Sequence, residues 1–153
     1  MTSVNELNPL IDRLSSIIQS AEPAARKALI KQIAANVRRT QAERIKENKN
    51  PDGSQYEARK TSRLAERKGS IRRKMFRKMA RAKWLKARTT ASEASIEFIG
   101  YASRIARVSQ YGLRARVNKR GLEVKYPQRE LLGLTSSEMD MIEDIVLSGM
   151  MKW

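Results

Sequence analysis

The sequence predicts an α+β fold: two N-terminal helices, a basic central helix, a small antiparallel sheet and a C-terminal helix. Three observations carry this prediction. Apolar residues recur at three- and four-residue spacing near both ends, they alternate with polar residues in two short stretches between, and Lys and Arg crowd one central segment. Helices at the ends of a chain with short strands between them are the pattern of α+β architecture. The 153 residues suit a single domain able to bury roughly 70% of its unfolded surface. That domain is expected to run from 1 to 153 and to carry a basic insert at about 51–92.

Leu7, Leu10, Ile11, Leu14, Ile17 and Ile18 mark one buried helical face. Asn8 as cap and Pro9 as first helical residue place this helix at about 9–19. Ser20-Ala21-Glu22-Pro23 restarts the chain, and Ala25, Leu29, Ile33, Val37 and Ile45 trace a longer second helix. Asn48-Lys49-Asn50-Pro51-Asp52-Gly53 supplies the turn residues that end it. Next, Ile71, Met75, Met79 and Ala82 fall at helical spacing, with Phe76, Trp84 and Leu85 nearby. Arg72, Arg73, Lys74, Arg77, Lys78, Arg81, Lys83 and Lys86 fill the other faces, predicting an amphipathic helix with a narrow apolar stripe and a wide cationic face. Ala94–Gly100 alternates as a half-buried strand does. Ile105, Val108 and Tyr111 suggest a short helix closed by Gly112, with Tyr111 packing beside the cap. Leu122, Val124 and Tyr126 alternate again between an Asn118–Gly121 turn and Pro127. Thr135 and Glu138 form a capping box, and Met139, Ile142, Ile145, Val146 and Met150 make the apolar face of a terminal helix. Leu131 and Leu132 are expected to be buried beside that helix.

The 32 basic and 16 acidic side chains give a net charge of +16, placed unevenly. Residues 51–92 hold fourteen basic and three acidic groups, whereas residues 93–153 hold nine and eight. A local cationic block needs an anionic partner or solvent around it. Cysteine and histidine are absent, which excludes disulfides, thiolate chemistry and the usual zinc sites and removes the commonest general base. Glu143 and Asp144 are adjacent and diverge on a helix, while Asp140 and Glu143 read as a solvated helix surface. No hydrophobic pocket that would activate Lys31 can be read, and Gly112, Gly121 and Gly133 form no phosphate-cradling loop. Asn50-Pro51-Asp52-Gly53 lacks the alternating ligands and distal glutamate of a calcium loop. The expectation is therefore a protein that is not an enzyme, with no catalytic residue, cofactor or metal. The first residues carry no basic n-region and no apolar run approaches 18 residues, so neither a signal peptide nor a membrane partner is expected.

Three segments, kept in order, resemble a known family. They are Asn50–Tyr56 directly after a long basic helix, Tyr101–Gly112, and Tyr126–Thr135 before an acidic terminal helix. The likeness, from about residue 5 to 150, is to the phage virion morphogenesis family of contractile-tailed bacteriophages. It implies a structural virion protein that completes the tail at its head-proximal end, ends tube growth and prepares head–tail joining. It further implies a ring of six copies, made in the host cytoplasm, lying between the tail tube protein and a head connector or neck protein, near the packaged DNA end. The family's glutamine-aromatic-glycine motif falls on Gln110, Tyr111 and Gly112, and its proline-to-glycine motif on Pro127, Arg129, Leu132 and Gly133. With Leu131, these give the candidate assembly interface. Arg129 is read either as a surface arginine fixing the turn before Leu131 or as an inter-subunit contact. The pattern departs at Glu130, where relatives commonly carry proline or a small residue, and the segment 57–92 is longer than in many of them.

A second class, a nucleic-acid-binding protein using an arginine-rich helix at 59–88, is favoured by charge. It is disfavoured by 5% aromatic content and by the lack of a helix-turn-helix pattern. Its anion-contacting candidates are Arg72, Arg73, Arg77, Lys78 and Arg81. If these side chains meet phosphates, duplex binding is expected to ignore base sequence and to weaken with salt at a log–log slope near −0.9 per phosphate contacted. A salt titration reads that slope, and no binding at ~50 mM salt would count against any role on DNA.

Overall fold

A computed structural model describes residues 4–58, 75–116 and 119–152 of the chain. Helix α1 spans Val4–Ser20 and α2 spans Pro23–Lys46. The first thus starts ahead of the expected 9–19, with Pro9 inside it. The proline deletes one rung, the bond to the Asn5 carbonyl, and the residues just before it belong to a first turn whose N–H groups lack intrahelical partners anyway. Side chains of residues 4–8, Leu7 included, lie outside the described part. Helix α2 opens on proline as expected and runs 24 residues, about 36 Å at 1.5 Å per residue.

That length lets α2 serve two cores. Its N-terminal half contributes Leu29 to a three-helix core with Leu14 of α1 and Met139 and Val146 of helix α4 (Ser136–Met150). Its C-terminal half contributes Ala42 and Ile45 to a second core with Leu85, Phe98, Ala102, Ala106 and Leu131. Leu131 and the partly buried Leu132 therefore pack on this second core, and the expected place beside the terminal helix is not theirs. Met150, assigned from its spacing to the apolar face of α4, is exposed.

The expected basic central helix is not found over its described part. Residues 76–84 form successive turns, closed by Ala80 N–H to the Phe76 carbonyl (3.1 Å) and Leu85 N–H to the Arg81 carbonyl (3.0 Å). Phe76 sits at φ 59°, a left-handed conformation that a continuous α-helix cannot contain. The apolar side chains still turn inward, with Met75, Met79 and Ala80 buried, while Arg77, Lys78, Arg81 and Lys83 stay exposed. The expected helical residues 59–74, including Ile71, Arg72, Arg73 and Lys74, lie outside the described residues.

Strand β1 (Leu85–Thr89) then replaces the end of that helix and pairs antiparallel with β2 (Ala94–Phe98), in register Leu85 to Phe98 and Thr89 to Ala94. Lys86 and Arg88 alternate with Leu85 and Ala87, and Arg88 forms an ion pair with Glu97 of β2. Helix α3 (Tyr101–Tyr111) ends at Gly112 as expected. A second hairpin follows, β3 (Arg114–Arg116) with β4 (Glu123–Lys125), around a turn at 119–120; Asn118 lies outside the described residues. The one small sheet expected is thus two separate hairpins, each strand pairing with its sequence neighbour.

Thr135 and Glu138 form the expected capping box at the start of α4. The Glu138 carboxylate, itself buried, also accepts from the Thr40 hydroxyl (2.9 Å) and the Gln41 side-chain amide (2.8 Å) of α2. Loss of the cap in Thr135→Ala is expected to cost ~1 kcal/mol, or a fall of ~2–4 °C in Tm. Glu138→Gln turns an amide NH2 towards converging donors and should cost more, ~1–3 kcal/mol. Thermal unfolding followed by circular dichroism orders the two variants.

Candidate functional site

The proline-to-glycine segment crosses the second core without belonging to either sheet. Buried backbone must find partners somewhere, and here side chains provide nearly all of them. Arg129 N–H donates to the Ser109 carbonyl (2.7 Å). Glu130 N–H donates to Asn50 Oδ1 (2.9 Å), and its carbonyl accepts from the Tyr56 hydroxyl (3.0 Å) and an Arg44 guanidinium nitrogen (3.2 Å). Gln110 Oε1 accepts both Leu131 N–H (2.8 Å) and Leu132 N–H (3.0 Å), while its Nε2 donates to the Leu132 carbonyl (2.9 Å). Arg44 also donates to the Leu131 carbonyl (2.8 Å). Gln41 closes the row by donating to the Gly133 carbonyl (2.6 Å) and accepting from Gly133 N–H (3.3 Å). Every N–H from Arg129 to Gly133 and every carbonyl from Glu130 to Gly133 is engaged.

Two glycines let this strap lie close to its supports. A Cβ at Gly133 would sit 2.6 Å from Pro51 Cγ. Gly112 caps α3 at φ 62°, and a Cβ there would stand 3.3 Å from the Gln128 backbone nitrogen. The turn at Asn50–Ser54, which presents Asn50 to the strap, is held by Gly53 N–H to the Asn50 carbonyl (2.9 Å). Asp52 accepts from the Ser54 hydroxyl and backbone, which lowers its carboxyl below the usual value.

The structure brings most of the expected interface residues together but gives them unequal roles. Gln110, Leu131 and Gly133 are internal fastenings, and Leu131 is 0% exposed. Arg129 is 5% exposed and donates from Nε to the Glu57 carbonyl (2.8 Å), so it is not the surface arginine expected at this turn. Tyr111, expected to pack beside Gly112, is 66% exposed. Tyr111, Gly112 and Arg129 line a groove of about 780 Å³ with Ile105, Val124 and Tyr126. Of the anion-contacting candidates, Arg77, Lys78 and Arg81 are exposed on the turns before β1, and Arg72 and Arg73 lie outside the described residues.

Gln41, Arg44, Asn50 and Tyr56 carry the strap yet were not singled out as site residues from the sequence. For Gln41 a signal existed: it stands on the Val37–Ile45 stripe, where a polar side chain announces a buried hydrogen-bonding duty. Arg44 needs its planar fork, since it reaches the carbonyls of Lys49, Glu130 and Leu131 and Gln41 Oε1 at once. Burial pushes the Tyr56 phenol up to about 12, with nearby Arg44 pulling the other way. No group of three or more metal-ligating side chains occurs among the described residues. No helix among them is long and apolar enough to cross a membrane.

The model of the phage virion morphogenesis family matches residues 5–150. The chain is 37% identical over 146 residues to tail completion protein S of Escherichia phage P2, an alignment covering 95% of this chain and 97% of that protein. No solved structure matches it.

Gln110→Ala frees two N–H groups and one carbonyl of the strap and is expected to cost about 2–4 kcal/mol; Gln110→Glu keeps both N–H bonds but sets a carboxylate oxygen against the Leu132 carbonyl, and should destabilise as well. Chemical denaturation measures both. Tyr56 is expected to ionise at about 12, above its ordinary value of 10. Stability from its neutral phenol is therefore complete below pH 10 and is lost as pH rises towards 12. Tyrosinate absorbance against pH should show a late-titrating component that Tyr56→Phe removes.

Proposed function

The chain belongs to the phage virion morphogenesis family, and from that premise we propose that it completes the phage tail at its head-proximal end. It is a structural protein of the virion tail in this reading, and it does no chemistry. Six copies close into a ring on the last ring of the tail tube, stop tube growth and present a surface to the filled head. The observation that carries the reading is the alignment with the P2 tail completion protein, which extends over nearly the whole of both chains. The fold supports it in a second way. A ring subunit must keep one shape under load from two neighbours, and the strap's complete hydrogen bonding across the second core provides that rigidity.

The cationic turn before β1 has its place in the same reading. Arg77, Lys78 and Arg81 are exposed while the apolar residues between them are buried, so these charges face a neighbour or solvent and do not hold the fold. Acidic faces of tube and connector proteins, or the end of packaged DNA, are the anions they would meet.

A phage deleted for its own copy of this gene, complemented with variants and viewed by electron microscopy, tests the proposal. Leu131→Asp with Leu132→Asp places charge in the second core, at a cost of several kcal/mol, and is expected to abolish rings and leave tails of wrong length or unjoined to heads. Replacing Arg77, Lys78 and Arg81 with Gln should keep fold and rings but impair head joining. Normal joined particles from the Leu131/Leu132 variant would refute the assembly reading.

A further inference from the structure

Among the described residues, the two strands of the β3–β4 hairpin contact each other, and no other helix or strand makes an extended contact with them. Two-stranded ribbons are marginal alone in water, so one with so few supports invites a partner. Its pairing Arg114–Lys125 and Arg116–Glu123 puts three cations and one carboxylate on one face, and its other pair, Ala115–Val124, lies on the opposite, apolar face. Leu113 and Val124 are exposed large apolar residues of that hairpin. Residues 113–126 hold five basic side chains and one acidic.

The charge complement is carried by the same chain. Residues 130–151 contain five carboxylates and no Lys or Arg, although the whole chain carries +16. Asp140, Asp144 and Leu147 on α4 and Met151 at its C-cap follow one another at spacings of four, three and four, a single helical stripe. All four are exposed, Met151 at 88%. This stripe lies opposite the face that α4 buries with Met139 and Val146. The two surfaces thus set a cationic hairpin face against an acidic helical row, and among the described residues no extended contact joins them within one subunit.

We propose that the β3–β4 hairpin of one copy docks on the Asp140–Met151 stripe of the next, forming the head-to-tail contact of the ring. The inference rests on the ring reading above and specifies which surfaces close it. Two different patches in contact generate a ring when the rotation closes. Opposite charges at the contact fix register and choose the partner.

Charge reversal of the full chain tests this. One variant carries Arg114→Glu and Arg116→Glu; the other carries Asp140→Lys and Asp144→Lys. All four positions are exposed, so both variants should fold, with unchanged circular dichroism. Light scattering is expected to find each alone at one chain mass and the wild type at about six. Mixed in equal amounts, they should rebuild rings of alternating subunits, because every hairpin then meets a helix of opposite sign. Rings formed by either variant alone, or a mixture that stays monomeric beside an assembled wild type, would overturn the hairpin–helix contact and leave the ring reading standing. A wild type that is monomeric at every concentration would overturn both.

Discussion

The peptide groups of residues 129–133 lie against the second core without a strand beside them, and the architecture of the C-terminal half answers that constraint. Side chains from α2, from the Asn50 turn and from α3 converge on one stretch of backbone. Unmade hydrogen bonds in such a place cost more than made ones return. The strap therefore fixes where α3 sits relative to α2, and Leu131, fully buried, is the apolar pin through the middle of that arrangement. Glu130 has a part in this. Its N–H donates to Asn50, a bond that proline at this position could not make.

How far the sequence could be read depended on which physical signal dominated locally. Helices α1, α2 and α4 announce themselves because their apolar spacing is long and regular, and the Thr135–Glu138 box marks a terminus by side-chain chemistry alone. The Gly112 cap was legible for the same reason: a left-handed residue after a periodic run has few alternatives to glycine. The segment before β1 misled because Met75 and Met79 keep helical spacing while the backbone turns twice, with Phe76 in a left-handed conformation. Five residues of alternation at Leu85–Thr89 were too short to outweigh that pattern, and the three-residue β3 offered less still.

The strap itself was half legible. Resemblance picked out Gln110, Leu131 and Gly133, and all three are part of it. Asn50 and Tyr56 bound another resembling segment but carried no assigned role, and Arg44 stood in none, because all three act on backbone atoms between 74 and 87 positions away. Backbone acceptors have no residue identity, so no pattern in the sequence reports on such pairs. Conversely, Tyr111 belongs to the glutamine-aromatic-glycine motif yet points outward. The motif combines an internal fastening with an exposed side chain, two roles that a string of letters does not separate.

The three-helix core joins residues near the beginning of the chain to residues near its end: Leu14 and Leu29 meet Met139 and Val146. During synthesis α1 and α2 emerge early, yet the helix that covers their apolar faces follows some hundred residues later, roughly 5–20 s at ordinary ribosomal rates. Through that interval the nascent chain presents an open apolar trough that only chaperones or chance neighbours can cover. A product released before residue 136 lacks the third wall of the core, leaving it open to proteases instead of nearly folded. Quality control is in this sense written into the topology: only a chain translated through α4 closes its first core.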